Sequence, residues 1–356
     1  MKIQIATLHF YNNFGSVLQA YALKNVLEKN FLCTVDLLSY RPQIKEITYF
    51  DDEYLLEKYR EKERKFLKFR EKKLGISEPP KEMTIQELMD KGHNYDAYIT
   101  GSDIIWGKEF SALDPVYFLK YGDRNKPKIA YAASVILENN KQTENDEIFR
   151  KYVPELTAVG MRETSSVSTI QKFTKVKVTD VLDPTLLLTF DEYNKIAVEN
   201  ESMKGRPYLL SYFLTHDPAT VDYTNLIAKK LGLRVVHYFA DYPKCIFDSD
   251  AKCFAFAGPE EFIGYVKNAT CIFTNSFHGT CFSIIYRKPF YTYMANRGML
   301  SRVRDTIERL GLEERYFTDF RDLKKVTLSI DYSEMELFLQ KWQKKSFSFL
   351  QRALEG

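Results

Sequence analysis

The stretch TNSFHGT at residues 274–280 lies between two mainly apolar runs, 269–273 and 281–286. This order predicts a strand, a tight turn and a helix, with the turn at the carboxyl end of the strand. Free N–H groups and the positive end of the helix dipole meet at such a turn and favour an anion. Ser276 offers a hydroxyl, and His278 offers an imidazole that titrates near neutral pH. The alternative is a helix that Ser276 caps, beside a half-buried histidine.

The length and composition predict about two domains and exclude some function classes. A chain of 356 residues is too long for one ordinary core, and a hydrophobic share of 45% is ample for burial. The formal charge, 51 − 48 = +3, does not indicate nucleic acid as a partner. No apolar run approaches the roughly 18 residues that span a bilayer, and residues 1–5 resemble a first strand rather than a signal peptide. We therefore expect a cytoplasmic protein.

The cysteines and histidines indicate neither a disulfide framework nor a metal site. The five cysteines are odd in number, irregularly spaced and without a CxxC pair, which is typical of free thiols in a reducing compartment. Four of the histidines are scattered without ligand spacing, and no DxD pair is well placed for a divalent cation. We therefore predict chemistry without a metal or a cofactor.

Strand-like and helix-like segments alternate along the chain, which predicts α/β domains with parallel sheets. A polar break at 199–206 separates two such series. The predicted domains are 1–190 and 191–356, with a cleft between them. The last helix, at 333–354, is expected to pack back on the first domain.

A segment of different composition interrupts the first domain at 51–75. Residues 57–73 hold nine basic and four acidic residues, so the local charge is 9 − 4 = +5. Apolar and aromatic side chains are interleaved with these charges. A basic helix of this kind can rest on an anionic membrane surface. The alternative is a solvated helical hairpin whose apolar residues face the domain.

Four further motifs occur in order before the histidine turn. They are NNFGSVLQAY at 12–21, YDAYITGSDIIW at 95–106, GMRE at 160–163 and VLDPT at 181–185. Together with SFHG at 276–279 and KPF at 288–290, they give the chain a specific resemblance to the polysaccharide pyruvyl transferase family. The resemblance covers most of the chain.

The resemblance implies a fold and a reaction. The implied fold is two Rossmann-like domains facing a cleft, as in GT-B glycosyltransferases, with the acceptor near the first domain and the donor phosphate near the second. The implied reaction moves the enolpyruvyl group of phosphoenolpyruvate onto a sugar hydroxyl pair as a pyruvate ketal. Such enzymes serve bacterial capsule, exopolysaccharide and cell-wall assembly. A polyprenyl-diphosphate-linked acceptor, and with it peripheral contact with the inner membrane surface, is also implied.

The donor residues follow from the same motifs. Phosphoenolpyruvate carries a carboxylate and a phosphate, so it needs cations and backbone donors. Arg162 matches the family arginine for the donor; the alternative is a structural ion pair with Glu163. His278 matches the histidine beside the donor and is the expected acid.

The histidine turn departs from the family pattern. Several relatives have Arg-Leu-His where this chain has Ser276, Phe277 and His278, so one cation is missing. Arg302 is the expected replacement. Ser276, Gly279 and nearby backbone N–H groups are expected to hold the phosphate.

The acceptor residues are expected at strand ends of the first domain. Gly15 lets the backbone approach a ligand, beside the candidate sugar-binding residues Asn13 and Ser16; the alternative is an ordinary capped helix start. Ser102 adjoins Asp103, the candidate base for the sugar hydroxyl; the alternative for Asp103 is a helix cap. Trp106 is either a stacking platform for a sugar ring or a core residue.

Two other functions remain open from the sequence. A glycosyltransferase on the same scaffold would use a nucleotide sugar and grip its ribose with an acidic residue, for which Glu260 and Glu261 are candidates. A non-catalytic protein of polysaccharide assembly is the third reading, and the missing arginine is its best support.

Overall fold

The computed structural model describes residues 1–42, 53–76, 81–91, 94–135, 142–214, 218–239, 255–293, 297–318 and 326–355. The chain divides into two compact units. The first unit is Met1–Thr48, Arg70–Leu187 and Leu339–Gly356, and the second is Tyr49–Phe69 and Leu188–Phe338. The segment Tyr49–Phe69 thus groups with the second unit, whereas the sequence analysis assigned it to the first domain. Residues 51–52 of the predicted basic segment lie outside the described residues.

A six-stranded parallel sheet forms the centre of the first unit. Its strand order is β2-β1-β3-β4-β5-β6. The strands are β1 (Lys2–Ala6), β2 (Thr34–Leu37), β3 (Ala97–Thr100), β4 (Lys128–Ala133), β5 (Ala158–Met161) and β6 (Val178–Asp180). The central strands β3 and β4 are buried along their whole length, as expected of parallel strands covered on both faces.

A five-stranded parallel sheet forms the centre of the second unit. Its strand order is β11-β10-β9-β7-β8. The strands are β7 (Tyr208–Phe213), β8 (Arg234–Phe239), β9 (Cys271–Thr274), β10 (Phe290–Tyr293) and β11 (Tyr316–Phe317). Strand β9 and the helix that follows it coincide with the strand and helix predicted around the histidine turn. The predicted α/β class with parallel sheets is confirmed.

Helices connect the strands of both sheets. They are α1 (Phe14–Asn30), α2 (Glu53–Phe69), α3 (Ile85–Asp90), α4 (Lys108–Ser111), α5 (Gln142–Tyr152), α6 (Thr164–Gln171), α7 (Phe190–Asn194), α8 (Pro218–Leu231), α9 (Pro259–Asn268), α10 (Phe277–Ile285), α11 (Arg297–Arg309) and α12 (Ser333–Glu355). Short 3₁₀ turns occur at Pro115–Phe118, Val153–Glu155, Pro184–Leu187, Glu201–Met203 and Glu313–Arg315, and a π turn at Arg70–Leu74.

The carboxyl-terminal part of α12 packs on the first unit. Ser346 accepts a hydrogen bond from the Leu182 N–H at 2.9 Å, and Gln343 donates to the Leu186 carbonyl at 2.7 Å. The Phe349 ring lies against Gly160, where an added Cβ would come within 3.1 Å of it. This close approach explains why a glycine stands in β5 at that point.

Helix α2 carries the basic segment, and its polar residues are distributed over both faces. Lys62 and Phe66 point inward, and the Lys62 ammonium donates to the Tyr238 hydroxyl at 2.9 Å. Lys65 forms an ion pair with Glu261 of α9 at 2.9 Å. The exposed positions mix signs, because Arg64 lies beside Glu57 at 2.7 Å. The surplus positive charge is therefore not collected on one exposed face, and the expected membrane contact stays a prediction. None of the described helices is long and apolar enough to cross a membrane.

Trp106 lies in the core of the first unit. Its side chain is fully buried, and its ring stacks on Phe118 at 5.2 Å between centroids and 5° between planes. The indole N–H donates to the Tyr117 carbonyl at 3.1 Å. This burial leaves no exposed indole face for a sugar, so the expected stacking role is corrected to a packing role.

We expect Trp106→Ala to lower the free energy of unfolding by about 3–5 kcal/mol, because it removes a large stacked side chain from a closed core. Chemical denaturation measures the loss. Trp106→Phe keeps an aromatic ring and is expected to lose less. An unchanged denaturation midpoint together with weaker sugar binding would instead restore the stacking role.

Candidate functional site

The carboxyl ends of the strands in the first unit carry a group of polar side chains, here called the strand-end cluster. Its members follow β3, β4, β5 and β6, and because the strands are parallel their ends meet at one edge of the sheet. The members are Ser102, Asp103, Ser134, Arg162, Glu163 and Asp183. Ligands of open α/β sheets bind at this edge, so the cluster is the candidate site of the first unit.

Arg162 is the centre of this cluster. Its guanidinium donates to Glu163 at 3.0 Å and to Asp183 at 3.2 Å, and its side chain is 2% exposed. Burial by itself lowers the pKa of Arg162, but the carboxylates of Glu163, Asp183 and Asp103 outweigh burial and raise it. The guanidinium is therefore charged and committed to internal carboxylates, as in the ion-pair alternative of the sequence analysis.

Two serines complete the buried network. Ser134 donates to Glu163 at 2.7 Å, and Ser102 donates to Asp183 at 2.8 Å. Asp183 also accepts from the Thr185 N–H at 2.9 Å. Ser102 was predicted from the sequence, whereas Ser134 and the shared structural role of Glu163 and Asp183 were not. Their positions directly after β4, β5 and β6 were the available signal.

Asp103 is the half-buried acid of the cluster. It accepts a hydrogen bond from the Ser16 hydroxyl at 2.6 Å, and its other oxygen accepts from the Ile104 N–H at 3.0 Å. Its backbone is left-handed, with φ of 79°. Aspartate and asparagine tolerate this conformation better than most residues. The structure thus brings together Asp103 and Ser16, two of the residues that the sequence predicted for the acceptor.

The loop from β1 to α1 presents the other predicted acceptor residues. Asn13 caps α1, because its side chain accepts from the Ser16 N–H at 3.2 Å. Gly15 is buried in the first turn. The cap alternative is thus realised, at the edge of the sheet that carries Asp103. Arg70, which the sequence analysis did not single out, donates to the carbonyls of His9 and Phe10 at 2.7 Å and fixes this loop.

The histidine turn of the second unit begins α10. Ser276 is the N-cap, and its hydroxyl accepts from the Gly279 N–H at 3.2 Å. The Ser276 N–H donates to the Thr274 hydroxyl at 2.9 Å, which itself donates to the Tyr212 carbonyl at 2.5 Å. Asn275 ties the turn to β7 by accepting from the Leu214 N–H at 2.8 Å.

Gly279 is required by close packing. A Cβ at this position would lie 2.5 Å from the Thr274 hydroxyl and 2.8 Å from the Tyr212 ring, both inside van der Waals contact. The glycine therefore lets α10 begin directly against β7 and β9. This close approach gives the turn a fixed geometry.

His278 and Phe277 occupy the first turn of α10. Both side chains are buried to 7% exposure, and their rings meet edge to face at 5.1 Å. Arg302 is a buried residue of α11, a helix that packs against α10. The second unit therefore holds an imidazole, a hydroxyl and a buried guanidinium on two adjoining helices. Among the described residues no group of three or more His, Cys, Asp or Glu is arranged to hold a metal ion.

Comparison with known proteins identifies the class. A family model described as polysaccharide pyruvyl transferase matches residues 13–296. Because the match covers most of the chain and includes the histidine turn, the chain belongs to the polysaccharide pyruvyl transferase family. A search of curated proteins gives no significant match.

Solved structures similar to this chain share its fold at low sequence identity. The UDP-GlcNAc 2-epimerase of Methanocaldococcus jannaschii in complex with UDP-GlcNAc and UDP gives a TM-score of 0.53 at 13% identity, covering 100% of both chains. The UDP-N-acetylglucosamine 2-epimerase of Rickettsia bellii gives a TM-score of 0.56 at 13% identity, covering 99% of this chain and 96% of that chain. These similarities confirm the GT-B-like α/β fold.

We expect Arg162→Met to lower the free energy of unfolding by about 3–5 kcal/mol, because it leaves Glu163 and Asp183 buried without a cation. The matched control is Arg287→Met, whose guanidinium is 46% exposed in its ion pair with Glu336 and should cost less than about 1 kcal/mol. Chemical denaturation measures both. If Arg162→Met kept full stability but lost donor binding, a donor role for Arg162 would stand instead.

We expect His9 to make the fold sensitive to acid. Burial lowers the pKa of His9 to about 4, although its contact with the Leu38 carbonyl at 2.8 Å opposes the shift. The unfolded chain binds a proton near the ordinary pKa of about 6.5, so stability from neutral His9 is complete above that pH and is lost as the pH falls towards 4. The loss reaches about 3 kcal/mol.

His9→Gln keeps a donor for the Leu38 carbonyl and removes the titration. Denaturation midpoints of both proteins, measured from about pH 7.5 down to about pH 5, isolate the contribution of His9. If the wild type lost no more stability than the variant as the pH falls, the acid sensitivity would not come from His9.

Proposed function

We propose that this protein transfers the enolpyruvyl group of phosphoenolpyruvate to a pair of sugar hydroxyls and forms a pyruvate ketal in the biosynthesis of a bacterial surface polysaccharide. The observation that carries the proposal is the Ser276-capped start of α10, which bears His278, in a chain of the polysaccharide pyruvyl transferase family. Phosphoenolpyruvate is the co-substrate, and the proposed reaction uses no cofactor.

The start of α10 supports the donor part of the proposal. The N-terminus of a helix attracts a phosphate or a carboxylate through its dipole and its unsatisfied N–H groups. His278 lies in this first turn, and Arg302 lies on the adjoining α11. We assign the donor to Ser276, Phe277, Gly279 and Arg302, with His278 as the acid.

Asp103 supports the acceptor part of the proposal. It is a half-buried carboxylate at the edge of the sheet where α/β folds bind ligands, and the hydroxyl of Ser16 fixes its orientation. A carboxylate held in this way suits a general base. We assign the sugar to Asp103 with Asn13, Gly15, Ser16 and Ser102.

Arg162 is better suited to a positioning role than to the donor clamp expected from the sequence. Its guanidinium is bonded to Glu163 and Asp183 and is therefore held inside the strand-end cluster. We propose that Arg162 keeps the strand-end cluster in one arrangement.

The proposed reaction has two steps. Asp103 takes the proton of the first sugar hydroxyl, whose oxygen bonds to C2 of the donor while His278 protonates C3, so that the methylene becomes a methyl group. The second hydroxyl then bonds to C2 and the bond to phosphate breaks. Phosphate leaves, and the proton of the second hydroxyl passes to solvent or to a base.

We expect Asp103→Asn to lower kcat by about 100-fold to 10,000-fold, because it removes a general base. Asparagine tolerates the left-handed backbone at this position and keeps a polar partner for Ser16, so the thermal midpoint should change little. Phosphate release from phosphoenolpyruvate, measured with a panel of hexosides and glycolipids, gives kcat. His278→Gln tests the acid in the same assay.

Asp123→Asn is the matched control, since Asp123 is an exposed carboxylate of the first unit. It should leave kcat unchanged. If the wild type released no phosphate with any acceptor and failed to bind phosphoenolpyruvate in calorimetry, the proposal would be rejected.

A nucleotide-sugar transferase is the second candidate, favoured by the fold shared with the UDP-GlcNAc 2-epimerases. The structure weakens one of its expected residues. Glu261 accepts from Lys65 at 3.0 and 2.9 Å and from the Gly258 N–H at 2.7 Å, which occupies its carboxylate in a structural role. Thermal stabilisation by UDP or GDP but not by phosphoenolpyruvate would favour this candidate.

A further inference from the structure

A cavity of the first unit lies at the opposite edge of the sheet from the strand-end cluster. Its volume is about 750 Å³, and it is formed by the segments that enter β4, β5 and β6 together with the last turns of α12. Strand β4 has six residues, so the two edges are separated by about 20 Å along it. The cavity is therefore distinct from the residues assigned to the reaction.

The charge of this cavity is of one sign. Five basic residues line it, and none of the described residues in its lining is acidic. The basic residues are Arg124, Lys126, Lys177, Lys345 and Arg352. Thr157, Thr179 and Asn125 add hydroxyl and amide groups.

Carboxylates outside the lining neutralise only part of this charge. Asp180 forms an ion pair with Lys345, and Asp96 lies 4.0 Å from Lys126. Within the ranges that the structure describes, no ion pair involves the remaining three basic residues, Arg124, Lys177 and Arg352. Like charges that share a concave surface repel one another, and a bound anion relieves the repulsion.

The cavity also has an apolar wall. Phe349 and Val176 line it beside the cations, and Phe349 is fixed by its packing on Gly160. A lining that combines several cations with an aromatic side chain suits an anion with an organic part.

We propose that this cavity binds a ligand that carries two phosphate groups, through Arg124, Lys177 and Arg352. A diphosphate group matches these three lining cations in charge, and guanidinium groups bind its oxygens in pairs. The two phosphate groups belong either to a free metabolite or to a lipid headgroup, because both present the same chemistry. The proposal does not depend on the proposed function, because it uses none of the residues assigned to donor or acceptor.

The test is calorimetric titration of the full chain with inorganic pyrophosphate at low salt. The double variant Lys177→Gln, Arg352→Gln removes two cations without opposing charge, and both side chains are exposed, so the fold should be unaffected. We expect its dissociation constant to rise about tenfold or more, and the salt dependence of binding to weaken.

The matched control is Lys195→Gln, Lys229→Gln, which removes two exposed lysines of the second unit and keeps the same net charge. It should bind pyrophosphate like the wild type. Equal affinity in the two double variants would mean that pyrophosphate binds elsewhere, and this would overturn the proposal. No binding by the wild type, either to pyrophosphate or to anionic vesicles, would overturn it as well.

A second arm distinguishes the two sources of the phosphates. Phosphatidylcholine vesicles with and without diacylglycerol pyrophosphate, a lipid whose headgroup is a diphosphate, are sedimented with the protein in the presence and absence of inorganic pyrophosphate. Binding to the anionic vesicles that pyrophosphate displaces, and that the Lys177→Gln, Arg352→Gln variant loses, supports a headgroup. Pyrophosphate binding without vesicle binding supports a free compound.

Discussion

The buried ion pairs of Arg162 are the constraint on which the edge of the first sheet depends. One guanidinium, at 2% exposure, contacts carboxylates that follow two different strands, Glu163 after β5 and Asp183 after β6. Removing charges from water is costly unless each is paired and hydrogen-bonded, and Ser134 and Ser102 each donate a hydrogen bond to one of these carboxylates. The ends of four strands, β3 to β6, are thereby held together. Asp103 lies beside this network, which fixes its position.

The second unit achieves the same precision by packing. Gly279 allows α10 to begin in contact with Thr274 and Tyr212, and Ser276 closes the first turn. Any larger residue at 279 would push the helix away from β7 and β9. A steric constraint thus fixes the hydroxyl and the imidazole of the histidine turn, whereas ion pairs fix the polar groups of the strand-end cluster. Both arrangements leave polar groups at the carboxyl ends of parallel strands, where this fold binds ligands.

Much of the fold was predictable, because alternating apolar strands and helices leave a local periodic signal. Strand β9, the cap Ser276 and helix α10 all follow from the pattern around residues 274–286. The roles of individual side chains were less accessible. Trp106 and Arg162 belong to motifs of the family, yet the first is a core residue and the second an internal ion pair. Burial of the Trp106 ring and the second carboxylate at Arg162, that of Asp183, decide these roles, and both depend on the tertiary fold.

The sequence by itself determined the family, the α/β class and the residues that follow each strand. These features depend on local periodicity and on the order of motifs, which a single chain displays directly. Only the tertiary structure decided which charged residues are paired within the protein. Arg162 is paired with Glu163 and Asp183, and Glu261 is paired with Lys65. The basic cavity, in contrast, has too few acidic residues near it to balance its charge. The reason is that charge compensation depends on distance in space, and the partners range from the adjacent residue, as for Arg162 and Glu163, to residues 196 positions apart, as for Lys65 and Glu261.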